Sequence, residues 1–164
     1  SAETAVGEHP TTAVTTLMDI AFEAHAYVCQ PHFFQSMLAV QSRPMQPEES
    51  VASSAVNSAQ ELGAKAIIAL TTSGSSAQMV SKYLPPCPVV AVCKKKGTAK
   101  KLNLVRGITP YYYEGIENDE RLDRIEKSLS LMVEIGMVEK GDLVVAVHAD
   151  RTTGYANLAR VIEV

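Results

Sequence analysis

The sequence predicts an α/β fold: a three-layer α/β/α sandwich around a five-stranded, mostly parallel sheet whose last strand runs antiparallel. Three observations carry this reading. Short apolar runs at 66–70, 88–93 and 143–148 read as strands buried on both faces. Longer stretches with helical spacing lie between them, and strands alternating with helices imply a parallel sheet covered on both sides. The last two strands are joined by a short loop, which allows only an antiparallel pair.

Taken in order, Pro10 to Val28 reads as a helix, with Ala13, Leu17, Ile20, Ala24 and Tyr27 recurring at helical spacing. Pro10 suits a first turn because it has no amide hydrogen to leave unpaired. Pro31, Pro44 and Pro47 then punctuate a stretch that reads as a linker. Its Phe33, Phe34, Met37 and Leu38 need cover, expected from a neighbouring domain or subunit.

From Glu48 a helix rich in Ala and Ser runs to about Leu62, where Gly63 stops it. Ala66–Leu70 is the first strand, Thr71–Ser76 a polar turn, and a helix follows to about Tyr83. Leu84–Pro86 breaks that helix, and Pro88–Cys93 is the second strand. Gly97 to Val105 is a short helix and Ile108–Tyr113 a third strand. Asn118 or Asp119 caps a long helix that ends at Gly136. Leu143–His148 and Leu158–Val164 complete the sheet, and its crossovers are expected to be right-handed.

Composition narrows the function classes. The 164 residues are 46% apolar, enough for one folded core. A net charge of −3 argues against a protein built to neutralise nucleic acid. Lys94, Lys95, Lys96, Lys100 and Lys101 nonetheless crowd one stretch, either as a solvated face or as help in holding an anion. Three loosely spaced cysteines, Cys29, Cys87 and Cys93, make no disulfide framework and fit a reduced, cytoplasmic setting. No apolar run is long enough to span a membrane. Ser1–Gly7 lacks the basic start and apolar centre of a signal peptide, and the chain opens without Met, as if inside a longer motif.

The most informative segment is Ala66-Ile-Ile-Ala-Leu-Thr-Thr-Ser-Gly-Ser-Ser-Ala: strand, polar turn, helix. Ligands of open α/β sheets bind at the carboxyl ends of strands. Here that end presents the hydroxyls of Thr71, Thr72, Ser73, Ser75 and Ser76, while Gly74 permits close backbone approach. Free amides at the new helix attract phosphate; the alternative is that Ser and Thr simply cap the helix. A second candidate is the loop after the fourth strand. There Arg151 can pair with phosphate, or be solvated, and Gly154 provides a turn.

Other signals favour structure over chemistry. His25, Cys29 and His32 are spaced like metal ligands but have no fourth ligand near, so no metal site is expected. Tyr111, Tyr112 and Tyr113 suit strand packing better than base stacking. G-x-S-x-G is absent, and no P-loop lysine follows the glycine turn.

Four separated motifs resemble the pyruvate kinase family. Thr71-Thr-Ser-Gly-Ser-Ser, with Lys82-Tyr83 and Pro88-Val-Val-Ala-Val, looks like that family's effector-loop segment. Leu104-Val-Arg-Gly-Ile-Thr-Pro is similar to its "L-x-R-G-[IV]-x-P", and Gly136-Met-Val-Glu-Lys-Gly-Asp-Leu-Val-Val to its next stretch. Ser1-Ala-Glu-Thr-Ala-Val-Gly-Glu-His-Pro looks like "S-[GA]-E-T-A-x-G-x-[YH]-P", which opens the last helix of the family's catalytic barrel.

The resemblance implies a regulatory portion of an enzyme that moves phosphate from phosphoenolpyruvate to ADP. Residues 1–44 would be the end of the barrel and the linker, and 45–164 the effector-binding domain. One phosphate of a sugar-phosphate effector would rest on Thr71, Thr72, Ser73, Gly74, Ser75 and Ser76. Arg124 falls at the arginine position for a second phosphate, and Arg151, Thr152, Thr153, Gly154 and Tyr155 form the final effector loop. The chain has no tryptophan, which often precedes that arginine. Thr72 and Ser75 stand where some members carry lysine and arginine, so the pocket is less basic; a sugar monophosphate, or no effector, is compatible with this. The family's catalytic residues lie upstream of Ser1, so this portion alone is expected to be inactive and to hold no cofactor. Magnesium and potassium are implied for the whole enzyme. The implied partners are the missing barrel and further copies in a homotetramer, with no nucleic acid and no membrane.

Overall fold

The structure, a computed structural model, describes residues 2–28, 30–116, 120–150 and 152–164. A short helix, α1 (Ala2–Ala5), precedes α2 (Pro10–Ala26). The α2 helix leaves Leu17, Met18, Ile20 and Phe22 exposed, so its apolar stripe finds no cover among the described residues. The stretch read as a linker is instead partly helical, as α3 (Gln30–Ala39). Pro31 is tolerated there because it falls in the first turn, where amides have no intrahelical acceptor. Nor does all the cover for that stretch have to come from a neighbour. Phe34 is 3% exposed and meets the Tyr83 ring edge-on at 5.6 Å, and Met37 and Leu38 pack against the same core cluster.

The helix α4 (Pro47–Leu62) ends at Gly63, whose φ of 62° suits a residue without Cβ. There follow β1 (Ala66–Thr71), α5 (Ser75–Lys82), β2 (Val89–Cys93), α6 (Lys96–Leu102) and β3 (Ile108–Tyr111). The third strand is shorter than expected: Tyr112 and Tyr113 leave the ladder and pack on the core instead. Pro110 has no amide hydrogen, and β3 is an edge strand, where that loss is tolerated. The long helix is α7 (Arg121–Glu134); the caps expected at Asn118 or Asp119 lie outside the described residues. The chain closes with β4 (Leu143–His148) and β5 (Leu158–Glu163).

The sheet order is β3-β2-β1-β4-β5, parallel except for the antiparallel β4–β5 pair. Because β1 and β2 are buried along their whole length, alternate residues serve two cores. Ile67 and Ala69 belong to the cluster under α4, α5 and α6, whereas Ala66, Ile68 and Leu70 belong to the one under α7. The chain winds from β1 outward to β2 and β3, then returns to place β4 on the other side of β1. The gap between the carboxyl ends of β1 and β4 is therefore the topological switch point, where sheets of this kind receive ligands.

Candidate functional site

A cavity of about 320 Å³ lies at that switch point. Its floor is the end of β1. Thr71 is buried, and its Oγ1 accepts a hydrogen bond from the Gly74 amide at 2.8 Å, which shapes the turn. The Lys94 amide donates to the Thr71 carbonyl at 3.2 Å, and Thr98 Oγ1 to the Thr72 carbonyl at 2.9 Å. Gly74 has a φ of 100°, and a Cβ there would stand 3.1 Å from Leu102 Cδ2. The backbone conformation at this position calls for glycine, and a side chain there would press on Leu102.

Ser75 and Ser76 begin α5, so the polar turn is shorter than the sequence suggests. Ser73 Oγ and Ser75 Oγ share a hydrogen bond of 3.0 Å, and the Ser75 amide donates weakly to Ser73 Oγ at 3.4 Å. Gly74 is the N-cap of α5 and no side chain caps the helix, so the capping reading of Ser and Thr does not hold. The hydroxyls order the turn, and Thr71, Thr72, Ser73, Ser75 and Ser76 all line the cavity. Gly74 does not line it and instead supports the turn from behind.

The opposite wall is the loop after β4. Asp150 organises it. Its Oδ1 accepts from the amides of Thr152 and Thr153 at 2.8 and 2.7 Å and from both hydroxyls at 2.9 Å. Its Oδ2 accepts from Asn157 Nδ2 at 2.9 Å, while the Asp150 amide donates to Asn157 Oδ1 at 2.8 Å. The Asn157 bond first, and then those from Thr153 and Thr152, hold the Asp150 carboxyl far below the usual carboxylate range. Thr153, Gly154 and Tyr155 line the cavity; Thr152 does not, and Arg151 lies outside the described residues.

The helix α7 contributes cations. Arg124 is buried and lines the cavity. Arg121, one turn earlier on the same helix, lines it as well and was not anticipated. Its signal was the three-residue spacing that puts 121 and 124 on one face. Lys94, from the crowded lysine run, completes the basic lining because it directly follows β2. A second hollow of about 490 Å³ shares Lys94, Arg121, Arg124 and Ala149 with the first and reaches His148. Glu48 is the one carboxylate lining the first cavity among the described residues. Hydroxyls, helix-end amides, a lysine and two arginines around one cavity form a chemistry suited to phosphate groups.

The remaining candidates are not part of this site. Among the described residues no group of three or more His, Cys, Asp or Glu is placed to hold a metal, and Cys29, between His25 and His32, lies outside them. Burial pushes the thiols of Cys87 and Cys93 up to about 11, which makes them poor nucleophiles. Among the described residues no helix is long and apolar enough to cross a membrane.

Comparison with known proteins gives a consistent picture. The family profile described as "Pyruvate kinase, alpha/beta domain" matches residues 49–162. Pyruvate kinase of Trypanoplasma borreli is 41% identical over 167 residues, covering 99% of this chain and 33% of that protein. Pyruvate kinase 1 of Trypanosoma brucei brucei is 39% identical with the same coverage. A crystal structure of a pyruvate kinase from Cryptosporidium parvum superposes with a TM-score of 0.88 at 30% identity, over 99% of this chain and 32% of that one. The chain thus spans about a third of the length of the curated relatives it matches.

Proposed function

Because the chain belongs to the pyruvate kinase family, we propose that it is the regulatory portion of an enzyme transferring phosphate from phosphoenolpyruvate to ADP, and that its switch-point cavity binds a sugar-phosphate effector. The observation that carries this reading is the convergence of the Thr71–Ser76 turn, Lys94, Arg121, Arg124 and the Thr153–Tyr155 wall on one cavity. Two groups of cations and hydroxyls suit a ligand with more than one anionic or hydroxyl-bearing end. The effector acts by population shift, favouring whichever arrangement of the enzyme binds it better. The same premise extends to a cytoplasmic homotetramer and to magnesium and potassium in the barrel.

The test is thermal unfolding of this chain with fructose 1,6-bisphosphate, fructose 6-phosphate or fructose. Ligand at about 100 times its dissociation constant should add roughly 2.7 kcal/mol of stability. We expect a rise with a phosphorylated sugar and none with fructose, and Ser73→Ala with Ser76→Ala should abolish it. No shift with either phosphate would sink the effector reading and leave an assembly role for the domain.

A further inference from the structure

We propose that α5 is a mechanical relay, connecting the cavity at its first turn to α2 through Ser81, Arg106 and His25. The inference rests on the effector reading above and assigns its line of transmission. At about 1.5 Å per residue, eight residues make a rod roughly 12 Å long. One end, Ser75 and Ser76, lines the cavity. At the other, three consecutive side chains, Ser81, Lys82 and Tyr83, hold neighbouring elements.

Ser81 is 6% exposed, and its Oγ donates to the Arg106 carbonyl at 2.5 Å, fixing the turn that enters β3. Lys82 Nζ lies 2.8 Å from Glu49 Oε1, and the Tyr83 hydroxyl donates to the same oxygen, which ties the rod to α4. The Tyr83 ring in turn carries Phe34 of α3. From the turn fixed by Ser81, the Arg106 guanidinium reaches out to His25 Nδ1 on α2. A guanidinium only donates, so Nδ1 accepts, and the imidazole is held in the tautomer protonated at Nε2.

Two further features suit a moving part. Two residues past the rod stands Leu84, whose φ of 48° is the one positive value at a non-glycine among the described residues, a strained stop rather than a smooth exit. Beside it a cavity of about 280 Å³, lined by His25, Ser81, Leu84, Cys87 and Arg106, gives that end room to shift. Close-packed interiors pass small displacements on as discrete moves, and a sliding helix is a common form of them. A phosphate drawing on the first turn of α5 thereby pulls on the Arg106 turn and, through it, on α2.

The experiment is amide hydrogen exchange on this chain, with and without saturating fructose 1,6-bisphosphate, alongside a binding titration. The relay predicts slowed exchange at 71–76 and also at 104–108 and 20–28. In Ser81→Ala and in His25→Leu the protection at 20–28 should fall by half or more, while the dissociation constant stays within about threefold of the parent's. His25→Gln keeps an acceptor and should restore it. Binding with protection confined to 71–76, or unchanged protection at 20–28 in both variants, would overturn the relay and leave the effector reading standing. Absence of binding would overturn both.

Discussion

Asp150 shows how much of the site depends on a single side chain. Its carboxylate accepts two amides, two hydroxyls and the Asn157 amide group, so the wall carrying Thr153 to Tyr155 is built around one charge. Asp150→Ala should leave the sheet intact but weaken sugar-phosphate binding by more than about tenfold, as read by titration, since several donors lose one acceptor together. The pH dependence follows from its lowered carboxyl. A depressed carboxylate contributes stability that is fully present above the unfolded value of about 3.9 and is lost as pH falls towards the folded value. The Asp150→Ala chain should therefore show a shallower loss of stability on acidification over that window. Nothing in the pattern around Asp150 distinguishes it in sequence from a solvated loop acid. The neighbouring Thr71–Ser76 turn was legible as a strand-to-helix junction, because a wholly apolar strand runs there into hydroxyls and a glycine, while a ligand site and a helix cap read alike in sequence.

At the scale of elements, the α4–α5 contact repays a test. Tyr83 is fully buried, and burial first, with the Glu49 carboxylate second, raises its hydroxyl above the usual tyrosine range. The hydrogen bonds from Lys82 and Tyr83 outweigh burial at Glu49 and lower it. Tyr83→Phe should cost about 1–3 kcal/mol in denaturant unfolding, the usual range for a hydrogen bond to a charged acceptor. The parent chain should also lose stability as pH rises above about 10, where its unfolded form releases the tyrosine proton more readily. The variant lacks that contribution. This contact also explains why α3 was hidden in the sequence. Pro31 reads as punctuation, and only the distant Tyr83 ring gives Phe34 a reason to turn inward. Arg121 was hidden for a related cause: on a charged helix, an arginine facing a cavity looks like one facing water.

Across the whole molecule, β1 is the member on which everything leans. It pairs with β2 on one side and β4 on the other and sends alternate side chains into both clusters. Ile67→Ala should cost about 2–5 kcal/mol, measured by denaturant unfolding, because a buried cavity is left where no relaxation is easy. Strand number and direction were readable from the alternation of apolar runs and helices, whereas the order β3-β2-β1-β4-β5 was not, because it depends on where each crossover returns. The apolar stripe of α2 was readable too, although its exposure depends on which other parts of a longer protein lie against it. The central position of β1 has one more consequence. A strand hydrogen-bonded along both edges opens only when most of the molecule does, whereas a loop stitched to one carboxylate opens by itself. A molecule held at the switch point, as proposed above, would rest on a floor that keeps its shape and would leave by way of the wall stitched to Asp150.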